Sequence, residues 1–186
     1  MTSNRFNLAA SISPQPVQVE AAGRTYTIPS RTAGDWILAV ADDEPITAVF
    51  PGLLSKSDYQ LVVNLLADGD LDVLELRRPA FDAISTASGF KWWETMNLVG
   101  MCTHDARVIG ELTLRSIDPG AVPFSRWCAA LYALNLRGLD EKEQQKWLAK
   151  FTFPPPLAEA LDEAAAGDSF EDMIKGFRGM PGVSGG

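Results

Sequence analysis

The 186-residue chain has a single histidine, His104, and two cysteines, Cys102 and Cys128. That scarcity narrows the chemistry at once. Acid–base and nucleophilic catalysis rely most often on a positioned imidazole beside a hydroxyl or thiol. Cys102-Thr103-His104-Asp105 brings a thiol, an imidazole and a carboxylate close in sequence. On a helix, however, a nucleophile and a base two residues apart point in different directions. A zinc site needs more ligands than Cys128 alone can add. No catalytic residue and no metal ligand is assigned, and His104 is expected to be an ordinary helix-end residue. Both cysteines lie in apolar stretches. They read as buried thiols of a reducing compartment, with a single disulfide as the open alternative.

Other signatures are missing too. There is no phosphate-cradling Gly-rich loop, no Gly-x-Ser-x-Gly elbow and no dinucleotide fingerprint, so no cofactor is expected. Asp68-Gly69-Asp70-Leu71-Asp72 imitates the start of a calcium loop. Val73 then stands where the loop needs Gly, and Pro79 where it needs Glu. A solvated turn opening a helix is the reading there. No apolar run approaches the roughly 20 residues of a membrane span. Met1 to Ala10 carries one Arg and no apolar segment of signal-peptide type. Basic charge is also short. The 16 Lys and Arg are scattered among 24 Asp and Glu, for a net charge of -8. Phosphate-binding surfaces need clustered cations, so neither nucleic acid nor anionic membrane is an expected partner.

What is present is an apolar chain, 46 % hydrophobic, that is long enough to bury a core. The composition divides it into a polar arm over 1–16, a body over 17–153 and an acidic tail over 154–186, opened by Pro154-Pro155-Pro156. Val17-Gln18-Val19 and Tyr26-Thr27-Ile28 alternate around Glu20-Ala21-Ala22-Gly23-Arg24, which predicts a β-hairpin ended by Pro29. Helical signals follow. Thr32 to Asp35 is a start signal, Pro45 opens a short helix ended by Pro51-Gly52, and Ser55 opens another ended by Asp68-Gly69-Asp70. Leu71 to Ala87 reads as helix, kinked or divided at Pro79. Phe90 to Thr103 and Val108 to Ile117 read as helices, and Asp118-Pro119-Gly120 as a turn. Phe124, Trp127, Cys128, Leu131 and Tyr132 form one wide apolar face, and Asp140 starts a last helix bearing Trp147, Leu148 and Phe151. The fold class expected is mostly α, a compact helical domain with a small N-terminal hairpin and a flexible acidic tail.

Candidate binding residues come from two places. Trp92 and Trp93 are adjacent, so on a helix they diverge by about 100°. One can fill the core while the other reaches a rim, and an exposed Trp93 would be a contact residue. Core filling is expected of Trp36, Trp127 and Trp147. In the tail, Phe170, Met173, Ile174 and Phe177 hold the i, i+3, i+4, i+7 spacing of a short helix that docks in a groove.

Several stretches also carry a family likeness. They are Gly34-Asp35-Trp36, Phe50-Pro51-Gly52-Leu53-Leu54, Trp92-Trp93-Glu94, Gly110-Glu111-Leu112-Thr113-Leu114, Ile117-Asp118-Pro119, Trp127 to Leu134, and Phe151 to Pro156. Together, over about residues 32–156, they resemble the tail assembly chaperones of long-tailed actinobacterial phages and prophages. The resemblance implies a non-catalytic chaperone in the host cytoplasm. It would bind the long, apolar, helical tape measure protein before the tail tube forms around it. The tail tube protein is a further implied partner, and self-association is compatible. The alternatives are a structural tail or neck accessory protein of the virion, and a small protein-docking regulator.

Overall fold

The computed structural model describes residues 14–41, 45–102 and 105–161. It is mostly α, with the expected small hairpin at its start. In the hairpin, β1 (Val17–Ala21) and β2 (Arg24–Ile28) pair antiparallel, with Val17 opposite Ile28 and Val19 opposite Tyr26. Those four side chains and Ala21 turn inward and are buried. The turn is tighter than the sequence implied. Ala22 and Gly23 alone make it, both with positive φ, 50° and 66°. Such a two-residue turn matches the twist of the flanking strands.

The start signals become helix caps. Helix α1 (Ala33–Val40) begins after Thr32, whose N–H and hydroxyl both donate to the Asp35 carboxylate, at 3.0 and 2.9 Å. The first free N–H groups of α1 find carbonyls in the turn before a later helix. Ala33 donates to Val122 and Gly34 to Pro119. α3 (Lys56–Asp68) is capped by Ser55, whose hydroxyl accepts from Asp58 N–H. Gly69 ends it at φ 79°. α6 (Ala106–Leu114) is capped by Asp105, and it confirms a helix where β-branched residues competed with helix formers. α8 (Glu141–Thr152) opens with a reciprocal pair: Asp140 N–H donates to Glu143, and Glu143 N–H donates to Asp140.

Two prolines behave differently from expectation. α2 (Pro45–Leu53) runs through Pro51 instead of stopping there. Only its last turn is affected, and burial of Leu53 and Leu54 rewards the extra residues. The Leu71 to Ala87 stretch is divided, but before Pro79. A 3-10 turn over Val73–Leu76 leads directly into α4 (Arg77–Ser88), so Pro79 falls in the first turn. There its missing N–H has no intrahelical acceptor to lose.

α4 is the centre of the packing. It lies against β1, α2, α5 (Trp92–Cys102) and α7 (Phe124–Leu136). Ala80 and Ala83 are fully buried on it and let neighbours approach closely, while Phe81 and Ile84 fill the space between. α1 joins α7 through Trp36, which stacks on Phe124 at 5.7 Å, and Phe124 in turn stacks on Trp127. α5 and α8 meet around Phe90, Tyr132, Trp147 and Phe151, with the last two stacked at 4.7 Å. α3 is peripheral, with Val62 its buried residue.

Contacts divide the chain between Thr152 and Phe153. In the second unit, Pro155 C=O accepts from Ala158 and Glu159 N–H, which begins a helical turn over 156–161.

Candidate functional site

Of the polar residues that looked most chemical, Asp105 and Asp72 are spent on helix caps. Asp105 uses one carboxylate oxygen to accept Arg107 N–H at 2.9 Å and Val108 N–H at 3.4 Å. Thr103, His104 and the Cys102 side chain lie outside the described residues. Cys128 is a fully buried thiol. Asp68 and Asp70 are exposed at the end of α3, and Asp72 caps the 3-10 turn by accepting Leu74 N–H at 2.8 Å. Among the described residues, no three His, Cys, Asp or Glu side chains gather as a metal would need.

A buried polar cluster, not foreseen from the sequence, lies at the α4–α5 corner. Ser88 and Thr95 hydroxyls are 2.7 Å apart. Ser88 also accepts Phe90 N–H, Thr95 donates to Lys91 C=O, and Glu94 accepts Lys91 N–H. Every one of these groups serves the backbone of the turn. The cluster ties together the turn between two helices.

The tryptophans resolve differently from the expected contact role. Trp93 is only 8 % exposed. Its ring meets Trp92 edge-on, and Lys91 Nζ lies 4.7 Å above it. Trp92 is the half-buried member of the pair, stacked on Phe81 at 4.0 Å. The phase of α5 is set by its packing on α4, so Trp93 points inward and presents no open face. Trp36 and Trp127 are buried, while Trp147 is half-buried. The tail residues Phe170, Met173, Ile174 and Phe177 lie outside the described residues.

Two surface hollows are formed by described residues. One, of about 410 Å³, lies between α1 and α2 and is lined by Asp35, Leu38, Ala39, Ala48, Pro51 and Gly52. Its walls are small or aliphatic, and Leu38 beside it is 78 % exposed. Asp35 is the charged residue of the lining, and Thr32 already holds its carboxylate. This groove can cover apolar surface, and among the described residues it has no poised acid, base or nucleophile. The other hollow, of about 280 Å³, lies between α6 and α7 and is lined by Arg107, Val108, Glu111, Leu134, Arg137 and Gly138. Neither was singled out from the sequence. Leu38 carried a weak signal, as an aliphatic residue out of phase with the buried Trp36 and Val40 of its own helix.

No helix among the described residues is long and apolar enough to cross a membrane. No protein-family model, curated protein or solved structure matches the chain.

Proposed function

We propose that this chain is a non-catalytic tail assembly chaperone, which covers part of a tape measure protein in the host cytoplasm during phage tail morphogenesis. The observation that carries the reading is the α1–α2 groove. All of its lining residues fall within 35–52, inside the stretch from Gly34 to Leu54 where the family likeness begins. An exposed Leu38 beside small, aliphatic walls suits the apolar stripe of a partner helix. A tape measure protein presents such stripes along its length. The net charge of -8 would keep the complex dispersed. Reversible covering calls for modest affinity per site. That suits a chaperone which the growing tube must displace, with the tail tube protein as a second partner.

Co-expression with the tape measure protein of the same genome, followed by size-exclusion chromatography with mass determination, tests the proposal. Co-elution of a soluble complex supports it. A tape measure that stays insoluble while this chain elutes alone counts against it. Recovery of the chain from purified virions would then favour a structural tail or neck component.

A further inference from the structure

The α6–α7 hollow carries charge of the opposite sign to the chain as a whole. Arg107, Glu111 and Arg137 line it. Glu111 serves two guanidinium groups through one oxygen, with Arg137 Nη1 at 3.2 Å and Arg115 Nε at 3.5 Å. Two arginines therefore converge on one carboxylate, and Arg107 lines the same hollow beside them. Arg107 is exposed and has no ion-pair partner among the described residues. Asp105, the nearest other acid on this helix, is occupied as its cap.

The same face is also apolar. Arg107, Gly110, Glu111 and Leu114 fall at i, i+3, i+4 and i+7, so they share one side of α6. Leu114 is 82 % exposed there, and Val108 and Leu134 form the apolar part of the hollow. Gly110 leaves the middle of that side without a side chain, so another backbone can come close.

We propose that the α6–α7 cleft docks an acidic amphipathic helix of a partner protein. Its carboxylates would sit on Arg107 and Arg137, and one apolar side chain on Leu114. Charge complementarity selects the sign of the partner, because the cleft concentrates guanidinium groups on a chain of net charge -8. The exposed leucine selects a protein over a nucleic acid, and among the described residues no aromatic ring lines the cleft for a base to stack on. Glu111 pairs with the Arg137 and Arg115 guanidinium groups. Its ion pairs are exposed and therefore weak, so an incoming carboxylate can displace it. The inference does not depend on the partner being a tape measure protein.

Fluorescence anisotropy tests it on the full chain. The probe is a labelled helical peptide of about 20 residues with Glu and Leu at i, i+3, i+4 spacing. The controls are the same peptide with Lys for Glu, and an oligothymidylate of similar length. The Glu peptide is expected to bind, and to bind more weakly as salt rises. Arg107→Glu and Arg137→Glu should each weaken it by about tenfold, and Leu114→Ser should weaken it too. Glu111→Gln should tighten binding, because it removes the competing carboxylate. Circular dichroism establishes that each variant is folded, and Arg107→Gln replaces Arg107→Glu if the reversal unfolds the chain. Absence of binding, equal binding of the Lys peptide or the oligothymidylate, or full affinity in the Arg107 variant would overturn the proposal. The peptide titration and the co-elution experiment are read separately, so failure of one is distinguishable from failure of the other.

Discussion

Arg31 grips the end of a helix that begins 14 residues further along the chain. Its Nε and Nη2 donate to Leu53 C=O at 3.2 and 3.0 Å, and Nη2 also reaches Leu54 C=O at 3.4 Å. A helix C-terminus leaves carbonyls unpaired and carries partial negative charge, and a forked cation satisfies both demands. The contact ties the segment after the hairpin to α2, and so fixes the loop from which α1 starts. The α1–α2 groove depends on that geometry. Arg31→Ala should destabilise the fold by about 1.5–3 kcal/mol, the range for hydrogen bonds to a charged group. Arg31→Lys should recover only part of that, since an ammonium cannot reproduce the fork. Urea denaturation of the three proteins checks the order.

Among the described residues, two that are not glycine adopt left-handed backbone conformations at a steric cost. Ala22 does so in the hairpin turn at φ 50° and Ser116 after α6 at φ 55°. Ser116 N–H and Ile117 N–H close the α6 end on Thr113 and Leu112 carbonyls, a pattern in which glycine is the usual residue. A left-handed L-residue costs about 1–2 kcal/mol, and glycine or asparagine relieves much of it. Ala22→Asn and Ser116→Gly should each raise the melting temperature by a few degrees. A fall in either would mean that the turn is not shaped as described.

The Ser88–Thr95 pair is structural. Thr95→Val keeps the shape but removes the hydroxyl that bonds Ser88 and Lys91 C=O. Thr95 is fully buried, so the loss should cost about 1–3 kcal/mol. A calorimetric scan showing an unchanged midpoint would argue that the α4–α5 corner is held by packing alone.

Much of the fold was legible because caps are local. Thr32, Ser55 and Asp140 each act on the turn that follows them, and those three helices start where side-chain chemistry puts them. Asp105 was not read as a cap, and α6 begins two residues before the expected Val108. The prolines were less readable. Pro79 in a first turn and Pro51 in a last turn are both tolerated, but sequence alone does not say which turn a proline occupies. The surfaces were hardest. Trp92 and Trp93 differ by one position, and only the stack of Trp92 on Phe81 decides which of them turns inward. Arg137 reaches Glu111 from 26 residues further along the chain, and this brings it into one hollow with Arg107 through tertiary packing that no local pattern encodes.

Burial separates core from surface among the large apolar residues. Phe151 is 2 % exposed within the Phe90–Tyr132–Trp147 cluster, while Leu38 is 78 % exposed. Phe151→Ala should cost about 3–5 kcal/mol. Leu38→Ser should change stability by no more than about 0.5 kcal/mol. Parallel denaturation curves decide. A large loss from Leu38→Ser would mean that this residue supports the fold and is not held out for a partner.

The measurement that tests the central claim most directly is co-expression of the tape measure protein with the wild-type chain and with Leu38→Glu. If the α1–α2 groove covers apolar helix, the wild type keeps the tape measure soluble and co-elutes with it, while Leu38→Glu remains folded and loses the complex. Co-elution that survives Leu38→Glu unchanged would remove the groove from the account. A tape measure that never co-elutes with the wild type would contradict the chaperone reading itself.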